Sequence, residues 1–233
     1  MKRLLPALTG LCLLLSITVY ADAPSNTALT TDTDKLSYAM GYKTGAALKA
    51  QSITIDSQQF YQGLDTGYQG KQSAMSDQDM QTVLTNMQQQ MAKKMQQQYT
   101  QASTTNLQAG NDFLAKNAKL PGVVTTASGL QYQVVTPGTG ASPTANDTVT
   151  VNYEGKLIDG TVFDSSYKRG QPATFKVGDV IPGWQEALQL MKPGATYMLY
   201  IPAKLAYGAQ GSMGAIGPNE TLIFKVNLIS VKK

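Results

Sequence analysis

The residues able to do chemistry are defined first by what the sequence lacks. There is no histidine, and the one cysteine, Cys12, lies in an apolar run near the start. Past that run the chain has no thiol nucleophile, no Ser-His relay and no ordinary zinc site. Ser165-Ser166-Tyr167-Lys168 fits the S-x-x-K pattern of acylating enzymes, but such a serine must open a helix, and the companion S-D-N string is absent. Gly208, Gly211 and Gly214 could suggest a phosphate loop, yet no strand–loop–helix with a lysine follows them, so they are read as turn residues. What remains is aromatic. Tyr153, Phe163, Phe175, Trp184, Tyr207 and Phe224 can line one concave apolar hollow if their elements converge, and Asp164, directly after Phe163, points across its strand or over the rim.

The elements that must position these side chains are legible around Trp184. Val180-Ile181-Pro182-Gly183-Trp184 leads into a short helix, with Pro182 in the first turn, where its missing N–H is no loss, and Lys192-Pro193-Gly194 closing it. Trp184, Ala187, Leu188 and Met191 recur at i, i+3, i+4 and i+7 and share one face. Taken alone, Trp184 is also consistent with plain core filling. From Val123 the apolar period is two. Leu130, Tyr132 and Val134 alternate, as do Val149, Val151 and Tyr153, and Asp159-Gly160 marks a hairpin before Thr161-Val162-Phe163. Thr174–Val177, Thr196–Ile201 and Thr221–Val231 complete an antiparallel sheet of about five strands covered by one helix, with a long loop over Ala206–Pro218.

The rest of the chain has another character. Residues 33–118 contain no proline and are rich in Gln, Met, Ala and Lys, whereas 121–233 hold eight of the ten prolines. Helix signals begin at Thr33, with Leu36, Met40, Ala47 and Leu48 in one stripe; Gly41 and Gly45 interrupt it and would be explained by close helix–helix approach. Asp56 can cap a second helix carrying Phe60, Leu64 and Tyr68. Ser76 opens a third helix that reaches Lys119, a span of about 65 Å. Its stripe of Met80, Val83, Leu84, Met87, Met91 and Met95 exceeds what the first two helices can cover, so a second copy of the chain is the expected partner. A Gln-rich solvated spacer is the alternative. The weak helix formers Ser103 to Asn106 and Gly110 predict a kink or loosened turn.

At the start, Lys2 and Arg3 precede an apolar run from Leu11 to Val19, and Val19-Tyr20-Ala21 supplies permissive cleavage positions. Residues 1–21 therefore read as a signal peptide cleaved near Ala21, and Leu11 before Cys12 argues against a lipoprotein site. Without Lys2 and Arg3, 17 basic residues face 15 acidic ones, a balance that does not favour nucleic acid. The predicted organisation is a signal at 1–21, a helical dimerisation domain at 22–75, a long connecting helix at 76–119 and a sheet domain at 120–233. The fold class is α+β.

The strings VTVNYEGKLIDGTVFDSS, VIPGWQEALQLMKPG and AYGAQGSMGAIGPNETLIFKVNLISV resemble an FKBP-type peptidyl-prolyl cis–trans isomerase over roughly 121–233. The signal, the DKLSYAMG string at Asp34–Gly41, the long helix and SGLQY at Ser128–Tyr132 resemble the secreted, Mip-like (macrophage infectivity potentiator) branch of that family. The resemblance implies a prolyl pocket with Trp184 at its floor and Tyr153, Phe163, Phe175, Val180, Ile181, Ile216 and Phe224 around it. It further implies polar contacts from Asp164 and Tyr207, a donor in Ile181 N–H, and Arg169 pairing with Asp164 or Tyr153. Asp164, Tyr207, Trp184 and Phe224 are the residues it assigns to catalysis. Ala173, Ser212 and Ala215 depart from the best-known members, where an aromatic, a His and an Ile are often found.

Such an activity needs no cofactor, metal or nucleophile. Rotation about an X–Pro amide faces a barrier of about 18–20 kcal/mol because resonance is lost at the twisted geometry, and a dry aromatic hollow favours the less charge-separated twisted form. The implied partners are proline-containing segments, unfolded exported proteins, macrolide inhibitors of this family and a second copy bound through the N-terminal helices. The implied location is the periplasm, or the outer membrane or cell surface. A rival reading is a binding module in which paired long helices cradle unfolded chains.

Overall fold

The computed structural model describes residues 28–212 and 214–233. The expected signal peptide and its cleavage site near Ala21 lie outside the described residues, as do residues 22–27 of the polar lead. The chain divides into two compact units, one ending at Ser76 and the other Asp77–Lys233.

The first unit contains helices α1 (Asp32–Ala50) and α2 (Ser57–Tyr68). Thr31 opens α1 with a reciprocal cap: its hydroxyl accepts from Asp34 N–H at 3.1 Å, while the Asp34 carboxylate accepts from Thr31 N–H at 2.8 Å. Asp56 opens α2, accepting from the N–H groups of Gln58 and Gln59 at 2.9 and 3.0 Å. Neither helix buries a residue. The close approach expected at Gly41 and Gly45 is not made among the described residues, since a Cβ on either would meet nothing within 4 Å.

The second unit begins with α3 (Asp77–Asn117), 41 residues and about 61 Å long. It runs unbroken through Ser103–Asn106 and Gly110, where local propensity predicts a kink. The reason is tertiary: this half of the helix lies on the sheet domain. Phe113 meets Tyr200 with ring centroids 5.9 Å apart, and Asn117 donates to Gln131 at 2.9 Å.

Seven antiparallel strands follow where alternation predicts about five: β1 (Val123–Thr125), β2 (Gln131–Thr136), β3 (Thr148–Leu157), β4 (Val162–Ser165), β5 (Ala173–Lys176), β6 (Thr196–Ile201) and β7 (Leu222–Lys232). The strand not named from alternation is β1, which at three residues is too short for a period of two to declare itself, while β4 follows the Asp159-Gly160 turn as the hairpin signal predicts. The order is β1-β2-β6-β7-β3-β4, with β5 also on β3. β4 takes the Glu154–Lys156 end of β3 and β5 the Thr148–Val151 end. The inner face of β3 buries Val149, Val151 and Tyr153, and that of β7 buries Leu222, Phe224, Val226 and Leu228. Helix α4 (Pro182–Leu190) closes the core with Trp184, Ala187 and Leu188, followed by Met191. Each buried aliphatic or aromatic side chain contributes about 1.5–3 kcal/mol, and this cluster is what fixes α4 on the sheet.

Candidate active site

Trp184 is held at the N-terminal end of α4 because Pro182 and Gly183 start the helix directly before it. Its indole is 4 % exposed and meets three rings edge-on: Phe224 at 5.2 Å, Tyr153 at 5.3 Å and Phe175 at 5.9 Å between centroids, with interplanar angles of 84–90°. Phe163, from β4, stands edge-on to Phe224 at 5.5 Å. Four strands and one helix thus bring five aromatic residues together, in the edge-on and tilted arrangement ring quadrupoles prefer. Among the described residues, Trp184 Nε1 is the buried side-chain polar atom without a hydrogen-bond partner. A buried donor left unpaired costs about 1–3 kcal/mol, so its retention among these rings calls for a reason beyond packing.

One wall is fixed electrostatically. The Tyr153 hydroxyl donates to the Asp164 carboxylate, the Arg169 guanidinium donates to the other oxygen of that carboxylate, and Arg169 also reaches the Tyr153 hydroxyl at 2.8 Å. Arg169 pairs with both groups, and its Cζ lies 5.4 Å from the Tyr153 ring centre. Partial burial pushes the Asp164 carboxyl up, but hydrogen bonds from Tyr153 and Arg169 and the guanidinium charge outweigh it and hold it below the ordinary carboxylate value. Burial, and then the bond to Asp164, raise the Tyr153 phenol. The triad is therefore carboxylate, phenol and guanidinium at neutral pH, a fixed rim without a group ready to exchange protons.

Val180 and Ile181, directly before α4, are both half-buried against the core. Gln185 holds their backbone, donating to Val180 O at 2.7 Å and Gly178 O at 3.0 Å. Ile181 O accepts from Trp184 and Gln185, while its own N–H has no partner among the described residues. Ile216 is buried against the same core, and Tyr207 stands on the loop between β6 and β7, 40 % exposed. Of the departing positions, Ala173 is half-buried in β5, Ser212 pairs with Ile216 in an isolated bridge, and Ala215 is exposed.

Two residues that shape the hollow escape the sequence reading. A Cβ on Gly155 would stand 2.6 Å from Phe224 Cε1 and 2.7 Å from Phe163 Cζ, so only glycine lets those rings close behind Trp184. A lone glycine inside an alternating strand is the signal that could have found it. Ser166, fully buried, accepts from Tyr153 N–H at 2.8 Å and locks that strand residue in place. The S-x-x-K reading also fails: Ser165 is the buried last residue of β4 and opens no helix, and the K-T-G string that accompanies that motif in acylating enzymes occurs only as Lys43-Thr44-Gly45, inside α1.

Residues 140–229 match the family described as FKBP-type peptidyl-prolyl cis-trans isomerase, and residues 33–134 match the domain amino terminal to such isomerases. Over all 233 residues, and the whole of the relative, the chain is 54 % identical to the peptidyl-prolyl cis-trans isomerase Mip of Coxiella burnetii. The chain belongs to the FKBP-type isomerase family. Within it, the chain lies in the Mip-like branch: it is also 46 % identical to the outer membrane protein MIP of Legionella longbeachae, across all of this chain and 98 % of that one. Among solved structures, FkpA from Escherichia coli superposes with a TM-score of 0.71 at 40 % identity, covering 88 % of this chain and 99 % of that one. In this FKBP-type chain the five clustered aromatic residues all lie within the matched segment 140–229.

Proposed function

We propose that the hollow around Trp184 is where this FKBP-type isomerase binds and rotates X–Pro bonds. The observation that carries the reading is the ring of Tyr153, Phe175 and Phe224 at 5.2–5.9 Å around Trp184. A pyrrolidine ring seated on that indole would be surrounded by low-polarity surface. Amide resonance, and with it charge separation, is weakest at the twisted geometry, so such surroundings favour the transition state over either planar isomer. Trp184, Phe224, Phe163 and Tyr153 supply the apolar floor and walls, with Phe175, Val180, Ile181 and Ile216 completing them. Ile181 N–H and Trp184 Nε1 are unpaired donors that carbonyl groups of a bound peptide would satisfy. Asp164 and Arg169 hold Tyr153, and Tyr207 contacts the bound segment from the loop. Nothing covalent is required: a few contacts of about 1.36 kcal/mol, each tenfold in rate, give a large acceleration.

The N-terminal helices would join two copies into a homodimer, because among the described residues they carry large apolar side chains, Leu36, Met40, Phe60 and Leu64, that stay exposed. The protein would act on exported chains in the cell envelope, in the periplasm or at the outer membrane, and would take macrolide inhibitors of its family. Among the described residues no helix is long and apolar enough to cross a membrane.

The deciding experiment is the cis-to-trans rate of a Leu-Pro or Phe-Pro peptide with the mature protein and with Asp164→Ala and Tyr207→Phe variants shown to be folded. A catalysed rate that drops in the variants supports the hollow as the site. Full activity in both variants would remove the rim from the reaction, and no catalysis by the folded wild type would leave a proline-binding module.

A further inference from the structure

The loop from Pro202 to Thr221, which carries Tyr207 and Ile216, is tied to α3 by a line of side chains that enter neither the core nor the hollow. Tyr99 donates its hydroxyl to Ala209 O. Asn219 Nδ2 donates to Ser103 Oγ at 2.8 Å and lies 3.4 Å from Ser103 O. Asn106 Nδ2 donates to Pro218 O at 2.9 Å. Next along the helix, Gly110 is buried, and a Cβ there would overlap Thr221 Oγ1. Tyr99, Ser103, Asn106 and Gly110 are spaced by four, three and four residues, one face of α3.

These ties reach the backbone next to Tyr207. Asn219 N–H donates to Gly208 O at 2.9 Å, so the residue bound to Ser103 also holds the carbonyl one position after Tyr207. Ala209, one residue further, is held by Tyr99. Asn219 has φ +56°, a left-handed conformation that Asn tolerates better than most residues and that aims its backbone and side chain to two partners at once. The seam is not closely packed: a cleft of about 390 Å³ lies along it, lined by Leu107, Asn111, Lys204, Ala209 and Asn219. Discrete hydrogen bonds, rather than close apolar packing, therefore set where the loop sits.

We infer that Tyr99, Ser103, Asn106 and Asn219 are positioning residues for catalysis: through them α3 sets the loop that presents Tyr207 to the substrate. The inference rests on the isomerase reading above and adds that the connecting helix is part of the machinery rather than a spacer. A loop carrying one wall of a shallow site needs its position fixed, since small misplacements of a contacting group are costly to rate.

The test is made on the full mature chain. Ser103→Ala combined with Asn106→Ala removes two anchors while raising helix propensity, so α3 itself is not endangered. Asn219→Gly keeps the left-handed backbone and removes only the amide. Each variant is assayed with peptides differing in the residue before proline, and each substitution is repeated in a Tyr207→Phe background. The expected result is a fall in kcat/KM of about fivefold per lost anchor, a changed preference for the residue before proline, and a smaller effect when Tyr207 is already Phe. Ser103→Thr, which keeps the hydroxyl, should retain activity. Wild-type kinetics in the folded anchor variants would overturn the inference, as would losses that simply multiply with that of Tyr207→Phe. Absence of catalysis in the wild-type chain would instead remove the isomerase reading on which the inference stands.

Discussion

Trp184 in α4 is 4 % exposed and meets three rings, while Phe60 and Leu64 in α2 are 43 % and 62 % exposed and Leu36 in α1 is 62 % exposed. The two units contain similar apolar residue types and use them differently. In the sheet domain every strand finds a neighbour and α4 closes the inner face, so the core is complete within one copy. In the first unit, helices of 19 and 12 residues bury nothing. Helices of that length are marginal in water, and most helical stability in proteins comes from packing an apolar face. The comparison teaches that similar apolar residues make a closed core in one unit and, among the described residues, stay exposed in the other.

That contrast can be broken in three ways. The largest effect is expected from Trp184→Ala, which opens the hollow's floor and should cost about 3–5 kcal/mol of unfolding free energy, read from the urea midpoint, along with most of the peptide activity. A variant of unchanged stability would mean that the aromatic ring packs less tightly than the centroid distances indicate. Next comes Phe60→Asp with Leu64→Asp. Sedimentation at micromolar concentration should show a dimer reduced to a monomer, self-association weakening by at least about thirtyfold, while turnover of a short peptide stays unchanged. A wild-type chain that sediments as a monomer would refute self-association through α1 and α2.

The smallest effect concerns pH. Asp164 is held below its ordinary value, so the stability it contributes is complete above the unfolded-state value and is lost as pH falls through the lower folded-state value. With no histidine in the chain, kcat/KM for the peptide should be flat through neutrality and decline only in acid, below the usual carboxylate range. Asp164→Asn should lose that acid limb. An inflection between pH 6 and 8 would point to a titrating group that the rim does not contain.

Much of the sheet domain was legible because its signals are local. Pro182 and Lys192-Pro193-Gly194 punctuate α4, Asp159-Gly160 marks the β3–β4 hairpin, and strict alternation runs along β3 and β7. The convergence of Tyr153, Phe163, Phe175, Trp184 and Phe224 followed once those elements were placed. What could not be read depends on distant partners. Ser103, Asn106 and Gly110 weaken a helix in isolation, and only the loop packed on them explains why α3 continues. Gly155 looks like a defect in β3 until Phe163 and Phe224 are seen on either side. Strand β1 exists by virtue of its neighbour β2.

Trp184 is also the sole tryptophan among 233 residues. Selective excitation of indole therefore illuminates one place in the molecule, the base of the hollow. Its emission colour and intensity will respond to whatever enters or leaves, without label, coupled assay or engineered reporter. The same residue that shapes the site makes it directly observable by fluorescence, in dilute solution and in real time.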